Sequence, residues 1–305
     1  MLHSIRWGLS SLVLALPVGQ VLSAEPEAAS PACALAAELT ATDMTGAAVD
    51  VPFRTIEGRI YLDVLVDGKG PFVFAVDTGA SGVGRIDASL VAALGLPPGE
   101  SSQTSDGVAT AKVDTVRLSS LTLAGLAHQD ITLIARDYRS RVSEAAAFSG
   151  ILGRGFFADG LLVIDFPAKR LRYFTGRALA AGQPGALAYD RAFRVPVTLG
   201  SMATTANLDT GADVMVMMPT ALYDQLGGTP LQPAGNVSLT NSRIPSFSGR
   251  LASPLRLGDA TLEAATVRVA EAYPEVLVGA QALAGQRVLI DQRHQTVAVC
   301  PAGAA

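Results

Sequence analysis

The chain has 305 residues, of which 49% are hydrophobic and 16% are charged, and its formal net charge is −4 at pH 7. This balance is typical of a folded globular protein and excludes the polar, highly charged composition of a disordered chain. The sequence has no dense run of Lys or Arg, so the electrostatic pattern of a nucleic-acid-binding protein is missing. We therefore predict no nucleic-acid partner.

Residues 1–24 have the layout of a secretory signal peptide. A weakly positive start precedes an apolar run at 7–16, and the small residues Ser23 and Ala24 come just before an acidic segment. An uncleaved membrane anchor is the alternative interpretation. No later stretch stays apolar over the ~20 residues that a spanning helix needs. The sequence predicts an exported protein, periplasmic or secreted, with no membrane span after processing.

Residues 25–50 are rich in Ala and interrupted by Pro, and we interpret them as a tether or a removable pro-segment. They contain Cys33, whose only possible partner within the chain is Cys300. In an oxidising compartment the two cysteines can form one disulfide, and two unpaired buried thiols are the alternative. Since only His128 and His294 lie beyond the signal segment and no close Cys/His cluster exists, we predict no metal site. We also predict no cofactor, because the lone match to a dinucleotide fingerprint at 153–158 lacks the expected strand-helix-strand context.

An internal duplication organises the rest of the chain. Each copy contains an apolar run that ends in Asp-Thr-Gly, then a hydrophobic-hydrophobic-Gly segment, then an Ile-Asp pair. These are Asp77-Thr78-Gly79, Ile151-Leu152-Gly153 and Ile164-Asp165 in the first copy, and Asp209-Thr210-Gly211, Leu277-Val278-Gly279 and Ile290-Asp291 in the second. The repeat predicts two similar lobes, at 51–178 and 191–301, joined by a linker at 179–190 that is rich in small and turn-forming residues.

Within each copy the hydrophobic pattern is that of short strands. Residues 59–67 alternate or run apolar at strand length, and 194–199 and 266–269 are similar. Helical periodicity is confined to 88–94 and 220–226, each soon after an Asp-Thr-Gly. The pattern predicts an all-β fold of two β-barrel-like lobes rather than a sheet of alternating strands and helices.

Asp77 and Asp209 are the candidate catalytic residues. Each is the last residue of an apolar run, so each is predicted to lie where a buried strand passes into a loop. Two carboxyl groups held a few ångströms apart cannot both ionise cheaply and share one proton. The ionised member can take a proton from an attacking water, and the protonated member can donate to the carbonyl oxygen of an amide.

The neighbours of the two aspartates are candidate supports of the active-site loops. The hydroxyl groups of Thr78 and Thr210 can form hydrogen bonds across the lobe interface and fix the two loops. Gly79 and Gly211 allow the backbone to approach the carboxyl groups closely.

The loops at 74–81 and 208–213 resemble the active-site loops of aspartic proteases of the retropepsin and pepsin superfamily. The two hydrophobic-hydrophobic-Gly segments resemble the second hallmark of that superfamily, and bacterial retropepsin-like periplasmic proteases are the most similar group. The resemblance implies a bilobal aspartic-protease fold with a substrate cleft between the lobes. It also implies a polypeptide substrate and a water nucleophile activated by Asp77 and Asp209.

Ala80 and Ala212 follow the two Asp-Thr-Gly triplets where pepsin-like enzymes carry Ser or Thr. A hydroxyl group at this position would donate to the ionised carboxylate and lower its pKa. We therefore expect activity at mildly acidic to near-neutral pH rather than only in strong acid. By position in the family pattern, residues 101–110 are the flap that covers the cleft, and 238–249 are either its counterpart or a plain solvent loop.

Three functions fit the sequence. The first is an aspartic endopeptidase, monomeric because one chain supplies both half-sites. The second is a non-catalytic peptide-binding module that keeps the fold, against which the two intact triplets argue. The third is a processing protease restricted to few protein substrates, which intact triplets do not separate from the first.

Overall fold

The computed structural model describes residues 28–42, 44–191 and 193–303. The predicted signal peptide at 1–24 lies outside these residues. Over the described ranges, none of the helices has the length and apolar character needed to cross a membrane.

The described residues form 23 strands and four α-helices. The strands of the first half are β1 (Val49–Pro52), β2 (Arg54–Ile56), β3 (Arg59–Val66), β4 (Lys69–Asp77), β5 (Gly84–Asp87), β6 (Ser102–Ser105), β7 (Thr110–Leu123), β8 (Leu126–Arg136), β9 (Gly150–Gly153), β10 (Leu161–Asp165) and β11 (Arg170–Phe174). Those of the second half are β12 (Leu187–Ala188), β13 (Arg194–Leu199), β14 (Met202–Asp209), β15 (Val216–Met218), β16 (Gln232–Ser238), β17 (Arg243–Arg250), β18 (Leu255–Leu257), β19 (Ala260–Leu262), β20 (Thr266–Val269), β21 (Val276–Gly279), β22 (Gln286–Asp291) and β23 (Thr296–Pro301). The helices are α1 (Pro31–Thr40), α2 (Ala88–Leu94), α3 (Thr220–Leu226) and α4 (Ala280–Leu283), and 3₁₀ turns lie at Arg139–Arg141 and Arg154–Phe157.

Each copy of the duplication builds its own curled sheet. The first lobe has eight strands in the order β2-β3-β4-β9-β5-β8-β7-β6, and an additional pairing of β3 with β7 curls the sheet towards a barrel. The second lobe has nine strands in the order β16-β17-β20-β15-β21-β14-β13-β18-β19. The prediction of a bilobal, all-β fold is confirmed.

A third sheet joins the lobes. It has six strands in the order β1-β11-β10-β22-β23-β12, so that strands of the first half pair with strands of the second. At its centre β10 runs antiparallel to β22, with Leu161 opposite Asp291 and Asp165 opposite Arg287. The repeated Ile-Asp pairs therefore end the two strands that meet in this inter-lobe sheet.

Local sequence explains most of these elements. In β3 the side chains of Ile60, Leu62, Val64 and Val66 are buried, which is the period of two that the sequence predicts for a strand with one face on a core. The helices predicted at 88–94 and 220–226 are α2 and α3, with these same bounds.

The segment interpreted as a tether or pro-segment contains a helix, α1, that the sequence analysis did not predict. Ser30 caps it by accepting a hydrogen bond from the backbone of Cys33, and Pro31 occupies the first helical position. Its buried residues, Ala32, Cys33, Ala36 and Leu39, form one stripe that packs on the inter-lobe sheet. The helix is ordered because this stripe covers one face of that sheet.

The sulfur atoms of Cys33 and Cys300 are bonded, with an S–S distance of 1.97 Å and a Cα–Cα distance of 5.4 Å. The bond joins α1 to β23, and both cysteines are buried in the cluster under α1. It therefore fastens the helix to the sheet that holds the lobes together.

Replacing both cysteines by Ala should lower the free energy of unfolding by about 2–4 kcal/mol, because the bond closes a long loop in the unfolded chain. Urea denaturation of the oxidised protein and of the Cys33→Ala/Cys300→Ala variant measures this difference. Reduced wild type should match the variant. An unchanged midpoint in the variant would contradict a stabilising role for the bond.

Candidate active site

The two aspartates occupy equivalent places in the lobes. Asp77 is the last residue of β4 and Asp209 is the last residue of β14. Each strand runs parallel to the hydrophobic-hydrophobic-Gly strand of its own lobe, with Asp77 beside Gly153 and Asp209 beside Gly279. The segments Ile151-Leu152-Gly153 and Leu277-Val278-Gly279 therefore lie beside the strands that end in the two Asp-Thr-Gly loops.

Four buried hydrogen bonds lock the two loops together. The hydroxyl oxygen of Thr78 accepts from the backbone N–H of Thr210 at 3.0 Å and donates to the carbonyl oxygen of Leu208 at 3.1 Å. Thr210 reciprocates: its hydroxyl accepts from the N–H of Thr78 at 3.1 Å and donates to the carbonyl oxygen of Val76 at 2.9 Å. Both threonines thus bridge the lobes.

Close backbone approach explains the two glycines. A Cβ atom on Gly79 would lie 2.6 Å from an oxygen of Asp209, and one on Gly211 would lie 2.4 Å from Cγ of Asp77. These distances are shorter than any side chain tolerates. Each glycine therefore lies against the carboxyl group of the opposite lobe, which brings the two carboxyl groups together at the seam between the lobes.

Backbone N–H groups hold the carboxyl oxygens in place. The N–H of Ala80 donates to Oδ1 of Asp77 at 2.9 Å, and that of Gly211 donates to Oδ1 of Asp209 at 2.8 Å. Burial and the neighbouring charge of Asp77 raise the pKa of Asp209 well above its usual value, and these effects outweigh the N–H donors, which lower it. Asp209 therefore keeps a proton where an ordinary aspartate is ionised.

The two predicted covers are hairpins whose tips meet. The tip between β6 and β7 contains Asp106, whose carboxylate accepts from the N–H of Asn241 at 2.6 Å and from the hydroxyl of Ser242 at 2.9 Å. The amide of Asn241 also donates to the carbonyl oxygens of Thr104 and Ala109, at 2.8 and 2.9 Å. The hairpins of the two lobes therefore close on each other in this structure.

A buried tyrosine connects the second hairpin with the second aspartate loop. Tyr273 packs in one apolar cluster with Ile244 of β17 and with Ala212, which follows the second Asp-Thr-Gly. Burial raises the pKa of the Tyr273 phenol, and the charge of Asp209 raises it further.

The sequence analysis missed three residues around the site: Arg59, Arg154 and Tyr273. Nε of Arg59, from the first lobe, donates to the carbonyl oxygen of Gly211 at 3.0 Å, and Nη1 of Arg154 donates to that of Gly79 at 3.2 Å. Arg154 directly follows the duplicated segment at 151–153 and could have been found from that position. Nothing in the local sequence marks Arg59 or Tyr273, since their contacts cross between strands.

Replacing Thr210 by Val keeps the shape of the side chain but removes its hydroxyl group. The N–H of Thr78 and the carbonyl oxygen of Val76 lose a buried partner, at roughly 1–3 kcal/mol for each. We expect the urea midpoint to fall accordingly, whereas Thr210→Ser, which keeps the hydroxyl group, should stay close to wild type. Equal stability of the Val and Ser variants would contradict this role of the hydroxyl.

The raised pKa of Asp209 has a consequence for stability. The folded state holds a proton that the unfolded chain releases above about pH 4, so this group makes folding less favourable as the pH rises from about 4 towards neutrality. Asn cannot ionise. We therefore expect Asp209→Asn to melt at a higher temperature than wild type at pH 7.

The melting temperatures of wild type and Asp209→Asn, measured from pH 4 to pH 7, test this expectation. The difference in melting temperature between the variant and wild type should shrink towards pH 4. The same substitution at Asp224, an exposed residue of α3, is the matched control and should open no such gap. A gap that stays constant over this pH range would refute the raised pKa.

A family model described as aspartyl protease matches residues 62–156 and 195–282, which together are more than half of the chain and include both Asp-Thr-Gly triplets. No curated protein matches the chain. The matched ranges contain the paired loops, the strands beneath them and both hairpins. On this evidence the chain belongs to the aspartyl protease family.

Proposed function

We propose that the protein is an aspartic endopeptidase in which Asp77 and Asp209 activate a water molecule for attack on a peptide bond. The observation that carries this proposal is the contact of each Asp-Thr-Gly glycine with the carboxyl group of the opposite lobe, which brings the two carboxyl groups together. The raised pKa of Asp209 supports it, because a raised pKa favours one protonated and one ionised carboxyl group in the pair. A pair that carries one proton and one charge has both groups that amide hydrolysis needs.

The proposed reaction uses the pair twice. The water oxygen attacks the carbonyl carbon while the ionised carboxylate takes a proton from the water, and the protonated carboxyl donates to the carbonyl oxygen. In the second step the C–N bond breaks, the amine nitrogen receives the proton taken from the water, and the carboxyl group that donated recovers its proton from the tetrahedral oxygen. One water molecule is consumed for each peptide bond cleaved, and both carboxyl groups return to their starting protonation states.

The fixed loops support this role because catalysis by positioned groups depends on their geometry. The Thr78 and Thr210 hydrogen bonds keep the two carboxyl groups at one separation, and the hairpin tips of the two lobes meet through Asp106 and Asn241. A polypeptide in extended form would enter when the tips part and would be enclosed when they close.

We also propose that the protein is exported and acts as a monomer. The disulfide between Cys33 and Cys300 supports an oxidising compartment, periplasmic or extracellular, because such bonds are rare in reducing ones. The presence of both half-sites in one chain supports a monomer. The signal-peptide pattern at 1–24 is in keeping with export.

Cleavage of a diverse peptide mixture between pH 3 and pH 7 tests the function. Wild type should cleave, and Asp77→Asn and Asp209→Asn should each lower the rate by roughly 1000-fold or more, because each removes one half of the acid–base pair. A statine-type inhibitor should block the wild-type activity. Asp224→Asn, at an exposed site, is the control and should retain it.

Two results would contradict the proposal. Cleavage that survives both substitutions would come from a contaminant or from another site. Absence of cleavage by wild type over the whole pH range would favour a peptide-binding module or a processing enzyme restricted to its own protein substrate.

A further inference from the structure

The face of the first-lobe sheet that carries Asp77, called the first-lobe wall below, also carries a buried arginine. Ala75 of β4, Ile151 of β9, Arg85 of β5 and Ile134 of β8 lie side by side across four neighbouring strands. Paired residues of adjacent strands point to the same face, and Asp77 shares that face because it is two residues beyond Ala75. Arg85 therefore lies on the face that presents the catalytic carboxyl group, two strands or roughly 10 Å from β4.

Arg85 is 7% exposed, and its Nε atom is buried with no hydrogen-bond partner among the described residues. Within the same part of the chain no carboxylate forms an ion pair with it. A buried N–H donor with no partner is unfavourable by about 1–3 kcal/mol, more on a charged group, and proteins almost always pair such donors. This arrangement indicates that the partner arrives from outside the chain.

A second donor without a partner lies beside it. The phenol oxygen of Tyr138 is also buried and has no hydrogen-bond partner among the described residues, although it lies close to the guanidinium of Arg85. Asp87 holds Tyr138 in this place by accepting its backbone N–H at 2.8 Å. The other contacts of Asp87, to Ser89 and Arg139, occupy its remaining oxygen sites, so Asp87 does not serve as the missing partner.

The positive charge of this wall extends beyond Arg85. Burial lowers the pKa of Arg136 and of Arg154, and the charge of Arg85 lowers both further, so Arg85 is close enough to each of these two arginines to repel it. Nη1 of Arg136 donates to Asn241 at the hairpin tip of the second lobe, at 2.7 Å. Parting of the tips to admit a peptide would break this bond and open the wall.

The second lobe lacks this charge at the equivalent positions. The second lobe has Met217 at the position equivalent to Arg85, Ala270 at that of Arg136 and Ala280 at that of Arg154. All three are buried apolar residues. Arg268 is a cation on the same face of the second lobe, but it lies one strand further from Asp209. Its Nη1 atom already donates to Ala234 and Ser246.

We propose that Arg85 and Tyr138 form a specificity subsite that binds an acidic side chain of the substrate, on the first-lobe side of the scissile bond. The inference rests on the proposed endopeptidase function and deepens it. A carboxylate accepts from both a guanidinium and a phenol, and it neutralises the buried charge. The apolar wall around Met217 selects an apolar side chain on the opposite side, so the preferred substrate is asymmetric.

Position-scanned peptides with blocked termini test this subsite, because blocking removes the carboxylate of the chain end. Wild type should cleave peptides with Glu at one position near the scissile bond about tenfold or more faster, by kcat/KM, than the same peptides with Gln there. Arg85→Met, which copies the second lobe, should bring this Glu/Gln ratio to about one. Tyr138→Phe should lower it, and Arg85→Lys should keep part of it.

Arg117→Met is the matched control, because it removes an exposed arginine on β7 that pairs with exposed Asp130, and its Glu/Gln ratio should equal that of wild type. A wild-type ratio of one or less at every position, or an acid preference that survives Arg85→Met, would overturn the proposal. Thermal melting adds a second readout. An unpaired buried charge predicts that Arg85→Met melts no lower than wild type, and a clear drop would assign Arg85 to the fold instead.

Failure of the endopeptidase proposal can be distinguished from failure of the subsite proposal. If wild type cleaves none of the peptides, the endopeptidase proposal fails, and binding of fluorescently labelled Glu and Gln peptides decides the subsite on its own. Tighter binding of the Glu peptide to wild type than to Arg85→Met would support the subsite. Equal binding of the two peptides to wild type would overturn it.

Discussion

The hydroxyl groups of Thr78 and Thr210 lie in the buried seam between the lobes, where water cannot replace a lost partner. Each accepts from the backbone of the opposite loop and donates to the strand beneath that loop, so neither loop satisfies its polar groups without the other. The relative position of the loops is therefore fixed from both sides. The contact of each glycine with the opposite carboxyl group, the proximity of the two carboxyl groups and the proton held by Asp209 all follow from this constraint.

Rigidity is unevenly distributed around this seam. Below it, the six-stranded inter-lobe sheet is buried, and α1 covers part of it. Above it, the hairpin tips meet through a few polar contacts around Asp106 and Asn241, at the surface. Regions with little buried apolar surface open at lower free energy than a buried sheet, so opening at the tips costs less free energy than separation of the lobes at their base. An enzyme that encloses a flexible chain needs this division.

The sequence predicted best those parts of the fold that the internal duplication repeats. The repeated Asp-Thr-Gly and hydrophobic-hydrophobic-Gly segments identified the strands beneath the site. The period-two pattern of β3 could be read from its own residues without the repeat. Helix α1 had a local signal in Ser30 and Pro31, but Pro31 was interpreted as an interruption rather than as a first helical residue. The inter-lobe sheet and the surroundings of Arg85 depend on contacts between distant strands, which periodicity does not contain. Arg85 in particular lies in a short strand that looks no different from its neighbours until the pairing of β5 with β8 and β9 is known.

The disulfide between Cys33 and Cys300 spans 267 residues, and that span contains both lobes and the linker between them. The backbone from one cysteine to the other is therefore a closed covalent ring. A single cut anywhere in this ring, whether at a hairpin tip or between the two Asp-Thr-Gly copies, releases no fragment, because the disulfide still joins the two pieces. The covalent unity of the two lobes therefore tolerates a first nick in the backbone.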